Sequence, residues 1–441
     1  MVKTRFAPSP TGLLHIGNLR IALISWFYAR SQNGKFILRI DNTDRERSQE
    51  HYIKKIQEDL SWLGINWDES FQQLTRMQNY QAAKKKLINT GRLYPCFETE
   101  GELEIKKKEL IKRGMPPIYD RAALKLSDTE RKKLMDSGKN PHWRFFLKDG
   151  LISWNDKVRG TIKFEAKKLS DPVLIREDSS LTYSLASVVD DIDYEITDII
   201  RGEDHISNSA IHLQIFEALE AKTPNLAHIS LTKAKDAKLS KRFSGGSIHD
   251  LRKKHILPQT IINYLAKMGT SNPLRNLQNS HELIKAFSLQ KLSKSTIIYD
   301  EKDLHSLNEK AIHTASFRQI KPIIDSLQNN NISEKFWLDI RDNLQNLNEI
   351  FEWWEICTKT INTKITNREL AKIALQSMPD DFHIPNAWEN WIKNIKSKTS
   401  LRGKALFVPL RLTITGRSKG PEMHKILPHI SRNLIFNRFS Q

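Results

Sequence analysis

The chain has little cysteine, a deficit of acid and no long apolar run. Only Cys96 and Cys357 occur among 441 residues. Two cysteines so far apart exclude a disulfide framework and indicate a reducing compartment. No apolar stretch reaches the length of a bilayer span and no leader pattern opens the chain, so a cytoplasmic protein without membrane contact is expected. Acidic residues number 51 against 70 lysines and arginines, which leaves a formal net charge of +19. That imbalance favours a polyanionic partner. Abundant Asn, Ile and Lys also suggest an AT-rich coding sequence, and Lys84–Lys86, Lys106–Lys108 and Lys132–Lys133 each fit a solvated helix face. A chain of this length is expected to divide into two to four domains.

What is present is concentrated near the N-terminus, in the stretch from Arg5 to Asn18. A short apolar strand breaks at Pro8, Pro10 and Gly12, and His15 and Gly17 then stand at the head of a helix carrying Leu19, Leu23, Trp26 and Phe27. The first N–H groups of a helix lack internal partners and its dipole is positive there, so this junction suits a phosphate. The prolines hold the loop open, and the glycines allow close approach of a ligand. His15 can offer a donor nitrogen without a permanent charge.

Residues 1–95 read as α/β. The apolar run Lys35–Ile40 is a buried-strand pattern, and Asp41–Asp44 lie at its carboxyl end, where open parallel sheets bind ligands. Helical spacing follows over 45–63 and 80–93. Between 96 and 181 the rhythm changes to charged helices followed by strand-like pieces at Trp143–Leu147, Leu151–Trp154 and Gly160–Phe164. That order does not continue a βαβ pattern and reads as an insertion. The α/β pattern resumes over 182–232 with a segment from Tyr183 and a strand from Glu195 to Arg201. Helical patterns follow over 233–310, and 311–441 is helical, with Trp353, Trp354, Trp388 and Trp391 spaced as core. Tryptophan could stack on unpaired bases, but core packing is its commoner fate.

After the second α/β half comes Lys238-Leu239-Ser240-Lys241-Arg242. Two lysines three apart can wrap a triphosphate and stabilise charge on departing pyrophosphate. A competitor, Lys291-Leu292-Ser293-Lys294-Ser295, lies later in the chain. Position selects the first: it follows the second α/β half directly.

The Arg5–Asn18 segment resembles the signature of the class I aminoacyl-tRNA synthetases, and its surroundings resemble the bacterial glutamate-specific branch. The pieces LASVVDD, IIRGEDH and KLSKR, and the ending around Leu406–Arg411 and Gly420–Glu422, extend that resemblance over nearly the entire chain. It implies a Rossmann-type parallel-sheet catalytic domain (1–95 and 182–232), an inserted α+β acceptor-binding domain (96–181), a stem-contact region (233–310) and an all-α anticodon-binding domain (311–441). It implies ATP-dependent activation of L-glutamate and transfer to the 3′ adenosine of tRNA, with Mg2+ bridging the phosphates. His15, Lys238 and Lys241 are then catalytic. ATP is held by Ser9, Thr11, His15, Gly17, Asn18 and Lys238, Leu239, Ser240, Lys241 and Arg242. Glutamate is held by Arg5, Ala7, Ser9, Asp41, Tyr183, Ser187 and Arg201, since an arginine fork suits a carboxylate. Asn18 and Asp41 depart from the commoner family residues, the latter usually Glu. Family members often bind zinc in the insertion, but Cys96-Phe97-Glu98 has nothing downstream to complete a tetrahedral site, so no structural zinc is expected. Charging of tRNA(Glu), tRNA(Gln) or both is left open, with a non-catalytic tRNA-binding paralogue as the remaining rival. A monomer is expected.

Overall fold

A computed structural model describes residues 1–235, 247–270, 278–327 and 331–440. The Lys238–Arg242 motif therefore lies outside the described residues. The chain forms two compact units, Met1–Arg252 with Ile261–Asp300, and Lys253–Thr260 with Glu301–Gln441. The five-segment organisation expected from the sequence is a finer division than this.

The first unit starts with β1 (Lys3–Phe6), α1 (Ile16–Ser31), β2 (Lys35–Ile40), α2 (Glu50–Trp62), β3 (Glu69–Gln72) and α3 (Met77–Asn89). The three strands are parallel and pair in that order, with Arg5 opposite Ile37 and Leu38 opposite Ser70. Strand β2 is buried on both faces, which explains its continuous apolar spelling. Helix α2 begins at Glu50, later than its periodicity suggests, because Asp44 accepts hydrogen bonds from Arg47 and holds residues 45–47 in a turn.

An insertion follows: β4 (Leu93–Cys96), α4 (Glu100–Lys112), α5 (Asp128–Asp136), β5 (His142–Phe145), β6 (Leu151–Asp156), β7 (Gly160–Glu165) and β8 (Val173–Ile175). Strand β5 pairs antiparallel with both β4 and β8. Strands β6 and β7 form an antiparallel hairpin. Helices α4 and α5 are closed by capping boxes at Thr99–Glu102 and Ser127–Glu130, and neither buries a residue. Such helices owe their form to local caps rather than to a core.

The parallel pattern returns with α6 (Tyr183–Asp193), β9 (Asp198–Gly202), α7 (Ile206–Ala218) and β10 (Asn225–Ile229). Strands β9 and β10 are parallel, with Arg201 opposite His228. Strand β9 also lies beside β1, since Lys3 N donates to Thr197 Oγ1 at 2.8 Å and Thr197 N to the Lys3 carbonyl at 2.9 Å. Arg5, Arg39, Arg201 and His228 thus all stand near carboxyl ends of parallel strands, where this architecture places ligands. Then come β11 (Thr232–Ala234), α8 (Ile248–Lys253), α9 (Pro258–Lys267), α10 (Ser280–Ala286) and β12 (Ile297–Tyr299), with β11 and β12 parallel. Between the last two elements, Leu289 and Leu292 pack with Ile24, Ile200 and Ile229, and Ser293 N donates to the Gly269 carbonyl at 2.8 Å. The competing lysine motif is therefore anchored as packing of the first unit, with Lys294 exposed.

The described part of the second unit is helical, from Glu301–Thr314 through Ala387–Ser397 and Lys404–Thr415 to Arg432–Phe439. Trp353 and Trp391 are buried, and Trp354 and Trp388 are half-buried at their edges. Trp337, not singled out in the sequence, is fully buried and donates to the Ala315 carbonyl at 3.0 Å. Gly420 lies against Trp353, where a Cβ would stand 2.2 Å from the ring, so only glycine fits.

Candidate active site

His15 is the N-cap of α1, and its Nδ1 accepts from Asn18 N at 3.4 Å, a long contact. Burial holds its pKa below the ordinary histidine value, so the ring is neutral near pH 7. With Nδ1 as acceptor, the proton resides on Nε2, and that nitrogen is free to donate. A Cβ at Gly17 would sit 3.1 Å from His15 Cε1, so the glycine makes room for the ring. Asn18 enters through its backbone N–H, a contact any non-proline residue supplies. The FAPSPTG loop is tied to the end of β2: Asp41 N donates to the Pro8 carbonyl at 3.0 Å, and Gln49 N to the Pro10 carbonyl at 3.1 Å. Ser9 and Thr11 are exposed on this loop, and Ala7 is half-buried. Ser247, the first described residue after the Lys238–Arg242 segment, forms an antiparallel bridge with His15, and Ile248 N donates to the Leu14 carbonyl at 2.9 Å.

Beneath this corner lies a buried ion network centred on Arg39. Its Nε donates to Asp41 Oδ1 at 2.6 Å and Nη2 to Asp41 Oδ2 at 3.2 Å. Nη1 donates to Asp191 Oδ1 at 2.9 Å, and Nη2 to Ser187 Oγ at 2.9 Å. Arg5 Nε shares Asp191 Oδ1 at 3.0 Å. Asp190, 3.8 Å from Arg39, is held by Arg76, Gln73 and Tyr80. Three carboxylates crowd one guanidinium, and burial outweighs Arg39 to push Asp41 up to about 6. A cation placed on Asp41 would pull it back down. Ser187 is fully buried under Arg39, so its hydroxyl serves that guanidinium.

Arg201 is 5% exposed, and its Nε and Nη1 have no hydrogen-bond partner. Nη2 donates to Ser209 Oγ at 2.5 Å. Burial lowers the pKa of Arg201, the nearby Arg5 charge adds to the fall, and the neighbouring Tyr183 hydroxyl opposes it. A buried guanidinium with open donors is costly unless an anion meets it. His212 stands in the same place, fully buried with neither ring nitrogen paired, its centroid 5.6 Å from that of Tyr183. Burial, then the surrounding arginines, hold it neutral. Arg39, Ser209, His212 and His228 were not legible as site residues. Arg39 is the fifth residue of an apolar-looking strand, Ser209 and His212 sit within a helix, and His228 sits near the end of a buried strand; only for Arg39 and His228 did polar identity at a strand end give a signal.

Cys96 is buried, with Tyr119 Oη 3.7 Å from its sulfur, and burial pushes its thiol up to about 12. Among the described residues no group of three or more His, Cys, Asp or Glu is arranged to hold a metal ion. No helix among them is long and apolar enough to cross a membrane.

A histidine-capped helix start and a buried arginine with unpaired donors thus both stand at the carboxyl edge of a split parallel sheet. Residues 1–306 match the family described as tRNA synthetases class I (E and Q), catalytic domain, and the chain belongs to that family. It is 46% identical over 442 residues to glutamate–tRNA ligase 2 of Rickettsia canadensis (strain McKiel), covering 100% of this chain and 99% of that one. It is 45% identical over 440 residues to glutamate–tRNA ligase 1 of Rickettsia felis, covering 99% and 98%. Among solved structures, a glutamate tRNA ligase from Elizabethkingia meningosepticum in complex with its amino acid aligns at TM-score 0.87 and 26% identity, covering 100% of this chain and 98% of that one. Glutamate-tRNA synthetase from Elizabethkingia anophelis aligns at 0.85 and 27%, covering 100% and 99%.

Proposed function

We propose that the chain is a glutamyl-tRNA synthetase: it activates L-glutamate with ATP to glutamyl-adenylate and transfers glutamate to the 3′-terminal adenosine of tRNA, releasing pyrophosphate and AMP. The observation that carries the reading is Arg201, a buried cation whose Nε and Nη1 lack a hydrogen-bond partner, beside Arg5 and Tyr183. Two arginines supply the charge that a γ-carboxylate requires, and Asp41 takes the α-ammonium. His15 Nε2 and the backbone at Gly17 hold phosphate from one side, and Lys238 and Lys241 from the other. Ser9 and Thr11, at the exposed rim, add hydrogen bonds, while Ser187 fixes Arg39 and through it Asp41. Bound together with the triphosphate, Mg2+ would neutralise charge on the phosphates. The protein contributes position and electrostatics, because attack of a carboxylate on the α-phosphorus needs little else from it. The insertion grips the acceptor end, the helical unit meets the anticodon, and the enzyme works in the cytoplasm.

Pyrophosphate exchange with glutamate and ATP, run with and without tRNA for glutamate or glutamine, tests this. Exchange with glutamate supports it; exchange under no condition overturns it, and exchange with glutamine alone overturns the amino-acid specificity. In the same assay Lys294→Ala retains at least half of wild-type exchange, because Lys294 belongs to a packing segment. A tenfold loss would transfer the phosphate role to that motif.

Asp41 gives the reaction a pH limit. Its value near 6 means the carboxylate needed for the ammonium is present above pH 6 and lost below. The glutamate KM therefore rises about tenfold per pH unit below 6 and is flat above it. Asp41→Asn makes that profile flat and high, whereas an unchanged inflection in this variant would assign it to another group.

A further inference from the structure

The insertion hairpin reaches the glutamate pocket through three buried side chains. Asp156, the last residue of β6, accepts at Oδ1 from the N–H groups of Val158, Arg159 and His228, at 3.0, 3.0 and 3.1 Å. Its Oδ2 lies 2.5 Å from His228 Nδ1. His228 Nε2 lies 2.6 Å from Ser209 Oγ, which takes the Nη2 donor of Arg201. All four side chains are buried, and His228 and Arg201 are opposite one another on neighbouring strands.

The direction of this chain follows from counting protons. Burial would raise the Asp156 carboxyl, but hydrogen bonds from His228 and the backbone bring it down to about 2, so it only accepts. His228 therefore donates from Nδ1. Burial keeps the imidazole neutral, so Nε2 has a lone pair and must accept. Ser209 donates to it in preference to the His205 carbonyl at 3.2 Å, and its oxygen lone pairs face Arg201. A charged donor, a hydroxyl and a fixed tautomer then hold one corner of the guanidinium, leaving Nε and Nη1 for a ligand.

We propose that Asp156, His228 and Ser209 are positioning residues that orient Arg201 for the γ-carboxylate of glutamate, an inference that rests on the reading of Arg201 as the group meeting that carboxylate. None of the three touches substrate. Asp156 ties the aim of Arg201 to the inserted hairpin, which is further clamped by Arg159 through the His228 carbonyl at 3.2 Å and the Glu203 carboxylate.

The test is a set of KM values in tRNA-supplemented pyrophosphate exchange for Ser209→Ala, Asp156→Asn, Arg201→Ala and the Ser209→Ala/Arg201→Ala double variant, with melting temperatures alongside. Ser209→Ala raises the glutamate KM about tenfold, the scale of one hydrogen bond to a charged group. It changes the ATP KM less than twofold and kcat less than threefold. Asp156→Asn moves the glutamate KM the same way, and decides the matter alone if Ser209→Ala does not fold. Added to Arg201→Ala, the Ser209 change is silent, because there is no longer a guanidinium to aim. If Arg201→Ala raises the glutamate KM but the other two do not, the positioning role is wrong. Parallel shifts in both KM values and melting temperature would also overturn it in favour of a merely structural role. If Arg201→Ala itself leaves the glutamate KM unchanged, the underlying reading of the pocket fails.

Discussion

Replacing His15 with alanine lowers ATP–pyrophosphate exchange about 100-fold or more, the scale of losing one preorganised transition-state donor. The loss falls mainly on kcat, because charge on the phosphates builds as pyrophosphate leaves. The structure gives the reason a neutral ring can serve: Nδ1 is engaged by Asn18 N, Nε2 keeps its proton, and Gly17 clears space beside it. Alanine also removes an N-cap, which costs about 1 kcal/mol of stability, so a melting curve must accompany the kinetics. His15→Asn, which retains a cap and a donor, recovers part of the rate. Lys241→Ala produces a loss of the same order from the opposite side. If either single variant keeps more than a third of wild-type kcat, the two-sided clamp is wrong.

The second large effect is at Arg201. Arg201→Ala lowers kcat/KM for glutamate about 1000-fold, within the cost of truncating one partner of a desolvated ion pair. The penalty is large because Arg201 is buried and Arg5 shares its charge with Asp191 at 3.0 Å, so it cannot substitute fully. Arg201→Lys restores charge without the planar fork and recovers only a small part. Direct measurement with glutamate and glutamine gives the sharper reading. The variant loses glutamate binding while its weak response to glutamine hardly changes, since an amide never drew on that charge. Equal losses for both amino acids would mean that Arg201 holds the fold and not the carboxylate.

Much of this arrangement was legible in the sequence. The FAPSPTG turn and His15 announce a helix start because proline, glycine and N-cap chemistry are local, and the β2 apolar run announces a buried parallel strand for the same reason. What local chemistry cannot give is who pairs with whom across 150 residues. Arg39 reads as the polar end of a strand, yet it gathers Asp41, Ser187 and Asp191. Ser187, expected at the ligand, lies beneath that guanidinium. His228 reads as one polar residue in a buried strand and is joined to a hairpin 72 positions earlier. Helix ends moved where a turn competed, as at Asp44. The Lys291–Ser295 segment, spelled like a phosphate loop, is anchored by hydrophobic packing of Leu289 and Leu292, while Lys294 stays exposed.

The bridge between Ser247 and His15 has a kinetic meaning. Ser247 follows Lys241 by six residues in the sequence, so the phosphate role proposed for Lys241 is intramolecular with the His15 corner, and lengthening the segment between them with glycine and serine should weaken activation by lowering an effective concentration, without changing any residue proposed to contact ATP.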